Sequence, residues 1–210
     1  MPNTLISIAP SHYCEKSRWA LELSGLSFSE ELHMPFFHVS AVKRAGGTRT
    51  TPILHTPSKT LTDSESISRW IQDQPETKWK PYGEDPTQMS AIQAVETELG
   101  RKLGVLSRLV AYHHLLPHKP LIMHCMSRAP KSEQKWFGLG YPLFAWLMRK
   151  GMNIDARGAN RATKTIHEIF DGVESDAQGE FLIGDSLTIA DVSLAALGAP
   201  LVLPNKYGHW

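Results

Sequence analysis

Near residue 80 the chain changes its hydrophobic period, and that change limits the folds open to it. Up to about residue 75, short apolar runs alternate with one-sided helical segments; beyond residue 86, apolar residues recur at helical spacing almost throughout. Pro75, Pro81, Gly83 and Pro86 crowd the boundary, where they stop a helix and suit a linker. The sequence therefore reads as an α/β domain over residues 1–77 and an all-helical domain over 87–210, joined through 78–86. With 210 residues and 41% hydrophobic content, there is enough apolar side chain for a core in each.

In the first domain, residues 4–9 read as a strand, 12–24 as a helix that Gly25 ends, and 28–34 as a second strand. Residues 36–45 are ambiguous and hold at most a short helix. Residues 52–55 read as a third strand, paired across the Pro57-Ser58 turn with a short run at 59–61. The helix that starts at Asp63 packs Ile67, Trp70 and Ile71 on the sheet and stops before Pro75. In the second domain, 89–114, 132–149 and 159–173 read as helices, the second broken by Gly138, Gly140 and Pro142. Thr188 opens the last helix; Asp191 is spaced to return its capping bond, and Ile183 or Leu187 to pack beside Val192.

The turn Ser11-His12-Tyr13-Cys14 carries the first chemical signal. It puts a hydroxyl and a thiol three residues apart at a helix start, where unpaired N–H groups and the helix dipole favour a sulfur anion. These residues alone leave open whether Ser11 or Cys14 does the work. A net charge of +1 supplies no overall drive toward nucleic acid or an acidic membrane, so neither is expected as a partner, though local basic patches are compatible with it. Two cysteines, Cys14 and Cys125, make no disulfide framework, and with no secretory or membrane-spanning run the expected compartment is the cytoplasm. His113, His114, His118, His124 and Cys125 match no closed zinc pattern, so no metal is expected. Lys16 and Arg18, like Arg101, Lys102 and Arg108, read as solvated helix faces.

Four separated motifs together resemble the cytosolic glutathione S-transferase family, with a serine-type site. They are Ser11-His12-Tyr13-Cys14-Glu15-Lys16-Ser17-Arg18, Thr51-Pro52, Asp63-Ser64-Glu65-Ser66-Ile67 and Gly184-Asp185-Ser186-Leu187-Thr188-Ile189-Ala190-Asp191. The resemblance implies a two-domain α/β plus all-α fold, with a thioredoxin-like first domain that binds glutathione and a helical second domain that contributes the electrophile pocket. It implies that Ser11 stabilises the glutathione thiolate, that Thr51 and a cis Pro52 meet the cysteinyl backbone, and that Asp63 and Ser64 receive the γ-glutamyl end. His38 or Arg49, with Lys43 nearby, is implied for the glycyl carboxylate. Tyr13, Tyr112, His113, Leu116, Trp136, Phe137 and Tyr141 are the candidates for the electrophile wall. Glutathione as co-substrate, small hydrophobic electrophiles and a homodimer complete the implied set, in a detoxifying transferase. Two other readings stand beside it: thiol-disulfide exchange through Cys14, and a glutathione-transferase-like binding module without catalysis.

Overall fold

Strand β1 (Asn3–Ser7) buries Leu5, Ile6 and Ser7 at the centre of a four-stranded sheet of order β2-β1-β3-β4. The computed structural model describes residues 2–176, 179–205 and 207. Helix α1 (His12–Ser24) carries the chain over to β2 (Phe28–Leu32), which therefore runs parallel to β1. On the other side β3 (Ile53–His55) and β4 (Thr60–Leu61) form an antiparallel hairpin. β1 ends two residues before the expected 9 because the Ser11 amide donates to the Ile8 carbonyl at 2.9 Å and closes a turn. Gly25 stops α1 in the left-handed conformation, φ 70°, that glycine adopts without a Cβ clash. The ambiguous stretch holds α2 (His38–Arg44). Asp63 caps α3 (Ser64–Gln72), accepting from the Ser66 amide at 2.7 Å while the Ser66 side chain answers the Asp63 amide.

The segment after α3 is pinned at both ends. The Lys78 amide donates to Ser24 O at 2.8 Å, the Ile189 amide to Pro81 O at 2.8 Å, and the Trp79 indole N–H to Leu187 O at 2.9 Å. Helices α4 (Pro86–Arg101) and α5 (Leu103–Leu115) replace the single helix expected over 89–114; the backbone bends at Lys102, φ −97° and ψ −72°. A short α6 (Lys119–Cys125), unforeseen in the sequence, starts at Lys119-Pro120. α7 (Lys131–Leu139) and α8 (Tyr141–Gly151) divide at Gly140, and α9 (Ala156–Asp176) follows. Thr188 and Asp191 make the expected capping box of α10 (Ile189–Val202), and Asp191 also accepts from the Leu182 amide at 2.7 Å. α10 is buried along most of its length and packs on α1, α4 and α5. The architecture is a thioredoxin-like α/β domain followed by an all-helical one, with ten helices among the described residues.

The junction between the two is where the polar residues of α1 go. Lys16 and Arg18, expected in solvent, are buried. Lys16 Nζ lies 2.6 Å from Glu96 Oε1 on α4, and the Tyr82 hydroxyl donates to the other oxygen of Glu96 at 2.5 Å. Arg18 donates to Glu15 at 2.6 Å and through Nε and a terminal nitrogen to Glu30 of β2, which also accepts from the Ser7 hydroxyl at 2.6 Å. Burial pushes the Glu15 carboxyl up to about 8 against the downward pull of Arg18. At the far end of β2, His33 bonds Glu31 at 2.9 Å and Glu133 of α7 at 2.7 Å, and Glu133 also accepts from the Met34 amide at 2.7 Å. Met34 and Phe37 pack into the core cluster of the helical domain, beside Leu116, Ile122, Met126 and Phe137.

Candidate functional site around the first helix start

Ser11 is the N-cap of α1, in extended backbone, φ −77° and ψ 113°. Its hydroxyl oxygen accepts from the Cys14 amide at 3.5 Å, a long contact for such a bond. The same hydroxyl lies against the Cys14 thiol, and Ser11 is half-buried. Cys14 is placed differently: it is fully buried, and burial pushes its thiol up despite the nearby Ser11 and Thr51 hydroxyls, the Ile8 backbone and Arg18. Those same contacts set Thr51 beside this turn, and the Thr51–Pro52 peptide is cis, as the motif implied.

The remaining expected glutathione contacts divide between engaged and free groups. Asp63 is exposed, with one carboxylate oxygen committed to the Ser66 amide. Ser64, buried at the first position of α3, has a hydroxyl without a hydrogen-bond partner among the described residues. His38 Nε2 donates to the Arg49 carbonyl at 2.9 Å, the buried Nδ1 has no hydrogen-bond partner among the described residues, and burial pushes the imidazole pKa down. Arg49 itself is exposed, as is Lys43.

The helical domain meets the turn along one stripe of α4 and α5. The Tyr13 hydroxyl donates to Gly100 O and the His12 Nε2–H to Gly104 O, both at 2.7 Å. A Cβ at position 104 would run into the Tyr13 ring, so glycine is what lets α1 approach. Four and eight residues on, Arg108 and Tyr112 line a cavity of about 30 Å³ with Pro10, His12, Cys125 and Tyr207. That volume holds about one water molecule. The Tyr207 hydroxyl donates to Pro10 O at 2.6 Å, tying the end of the described chain to the Ser11 turn. Arg108 makes no hydrogen bond or ion pair among the described residues, and its charge is felt at His12, Tyr13 and Tyr112. It is half-buried, not part of a solvated face. The sequence signal was there: Gly100, Gly104, Arg108 and Tyr112 are spaced by four.

Of the expected electrophile wall, only Tyr112 reaches this cavity. Tyr13 is held by Gly100, and His113 stands edge-on to His114 with ring centroids 5.0 Å apart. Leu116, Phe137 and Tyr141 are instead core residues of the helical domain: Phe137 stacks on Phe144 at 5.0 Å, and the Tyr141 hydroxyl donates to Leu116 O at 2.9 Å. Trp136 is turned outward. Among the described residues no group of three His, Cys, Asp or Glu side chains is placed to hold a metal ion, and no helix is long and apolar enough to cross a membrane.

Residues 5–79 match the family model described as glutathione S-transferase, N-terminal domain. This segment is a glutathione S-transferase N-terminal domain. The likeness in fold runs through the whole chain. The beta-etherase LigF from Sphingobium sp. strain SYK-6 superimposes with a TM-score of 0.75 at 16% identity, covering 99% of this chain and 87% of the other. Glutathione transferase F2 from Populus trichocarpa gives 0.70 at 18% identity, over 99% and 86%. A glutathione S-transferase from Methylobacterium radiotolerans, solved in complex with glutathione sulfonate, gives 0.64 at 17%, over 96% and 80%. A search among curated proteins finds no match. The glutathione S-transferase domain thus contains the Ser11 turn, Thr51-Pro52 and Asp63-Ser64, and it gives Pro10 and His12 to a cavity whose other lining residues come from the chain that follows.

Proposed function

We propose that this protein is a glutathione transferase that conjugates the glutathione thiolate to small hydrophobic electrophiles, with Ser11 as the hydrogen-bond donor to the sulfur. The observation that carries the proposal is the contrast within one turn: Ser11 caps the helix start and is only half-buried, while Cys14 is sealed in the interior with its thiol pushed up. A thiolate at the Ser11 side meets the hydroxyl, unpaired N–H groups and the positive end of the α1 dipole. A hydrogen bond to a charged group is worth about 1.5–3 kcal/mol, or about one to two pKa units.

In this reading residues 1–77 hold glutathione, 78–86 link, and 87–210 supply the electrophile wall, residues beyond 207 lying outside the described ones. Thr51 and Pro52 take the cysteinyl backbone, the unpartnered Ser64 hydroxyl and Asp63 the γ-glutamyl end, and His38 with Arg49 the glycyl carboxylate. The sulfur attacks the electrophilic carbon directly, forming the C–S bond as the leaving group departs with its electron pair. Positioning and a preorganised donor supply the catalysis. In this reading Arg108 and Tyr112, which line the cavity beside His12, face the electrophile. The same reading makes the protein a cytoplasmic homodimer with a detoxifying role, the dimer being open to light scattering. The buried thiol weighs against disulfide exchange through Cys14.

Steady-state kinetics with an aryl halide test the proposal. Ser11→Ala is expected to lower kcat/KM by about ten- to a hundredfold while keeping most affinity for glutathione, and Cys14→Ser to retain conjugation. Wild type that binds glutathione but turns over no electrophile would leave the binding-module reading in its place.

A further inference from the structure

The outer side of the helical domain carries apolar residues that face solvent. Trp136, Leu139, Leu143 and Trp146 are 62, 67, 58 and 54% exposed. They are held that way, because the opposite sides of α7 and α8 bury Phe137, Tyr141 and Met148 against Met34 and Ile122. Two bonds tie the helices together at Gly140, whose amide donates to Trp136 O and whose carbonyl accepts from the Phe144 amide, both at 3.0 Å. At about 100° per residue Trp136 and Leu139 share one side of α7, and Leu143, Trp146, Leu147 and Lys150 share one side of α8. Isolated exposed apolar residues are ordinary, but a continuous stripe with two tryptophans marks a contact surface.

Charge selects the partner. Residues 117–151 contain six Lys and Arg and a single acid, Glu133, in a chain whose net charge is +1. Glu133 is turned inward to His33 and Met34. Lys131, Lys135, Arg149 and Lys150 are exposed around the stripe, Lys150 Nζ lying 5.1 Å from the centroid of the Trp146 ring. The near-neutral total thus conceals a strongly basic, aromatic face.

We propose that this α7–α8 stripe docks the protein peripherally on an anionic lipid surface. Tryptophan rings favour the headgroup level of a bilayer, leucines enter the acyl boundary, and the basic rim meets anionic headgroups. A second copy of the chain fits less well, since a two-fold contact sets this patch against itself and so the basic rim against its own like charges. The inference is independent of what happens at Ser11, and it departs from the expectation of no membrane partner drawn from net charge.

Vesicle co-flotation of the full chain tests it, using phosphatidylcholine vesicles with and without about one-third phosphatidylserine, at low and high salt. Wild type is expected to float with the anionic vesicles at low salt and to bind neutral ones about tenfold less. Leu143→Ala with Trp146→Ala, and separately Lys135→Glu with Lys150→Glu, are expected to weaken that binding by about tenfold each with unchanged circular dichroism. Wild type that stays off anionic vesicles overturns the proposal. So does either double variant binding as well as wild type, or a dimer that the Leu143/Trp146 double variant dissociates.

Discussion

Helix α1 and the α7–α8 pair invert the usual relation between polarity and burial. α1 hides His12, Glu15, Lys16, Ser17 and Arg18, while α7 and α8 show water two tryptophans and two leucines that are more than half exposed. The difference lies in what each helix is given to pack against. α1 meets Glu96 on α4, Glu30 on β2 and the carbonyl of Gly104, so each buried charge or donor finds a partner. The outer stripe of α7–α8 finds nothing among the described residues. A polar helix is thus fixed at the domain junction by pairing, and an apolar one is left free for something outside the fold.

The largest expected effect breaks the α1 side of the contrast. Lys16→Met leaves Glu96 charged and buried without its cation, and is expected to cost about 3–5 kcal/mol in urea unfolding. Lys16→Met with Glu96→Leu removes both charges and is expected to recover most of that loss; no recovery would mean that Lys16 acts through packing alone.

Next comes His12, whose pKa burial pushes down to about 4 from 6.5, with Gly104 pulling it up and Arg108 down. Between about pH 6.5 and 4 the unfolded chain binds a proton that the folded chain refuses, so this residue makes stability fall as pH is lowered through that window. The full effect is about 3 kcal/mol. Unfolding midpoints of wild type and His12→Gln at pH 6.5 and 4.5 should therefore converge toward acid, and parallel behaviour would place His12 in contact with water.

Glu133→Gln removes the charged acceptor that His33 and the Met34 amide share, and is expected to cost about 1–3 kcal/mol. Trp146→Ala closes the series: with so much of its surface already wet, it should change stability by less than about 0.5 kcal/mol. A loss of several kcal/mol there would show that the stripe is covered within the fold.

The same contrast explains what could be read from the sequence. Features set by nearby residues were legible: α1 from His12 to its Gly25 stop, the hairpin of β3 and β4, the caps at Asp63 and Thr188, and the division at Gly140. Features set by distant partners were not. Lys16 reads as solvated until Glu96, eighty positions away, comes beside it, and Arg18 until Glu30 does. At the site, the spacing of Ser11 and Cys14 raised the choice between them, but which one is sealed depends on burial in the fold, where Thr51, thirty-seven positions further along the chain, comes beside Cys14. Phe137 and Tyr141 look like cleft residues by type, and only the fold shows them filling the core with Met34.

The most direct test of Ser11 as the residue that steadies a foreign sulfur is the pKa of bound glutathione, read from thiolate absorbance across pH in wild type, Ser11→Ala and Cys14→Ser. The thiol is expected about one to two units below its free value in wild type and Cys14→Ser, and near the free value in Ser11→Ala. Failure of wild type to bind glutathione, or an equal depression in Ser11→Ala, would contradict it.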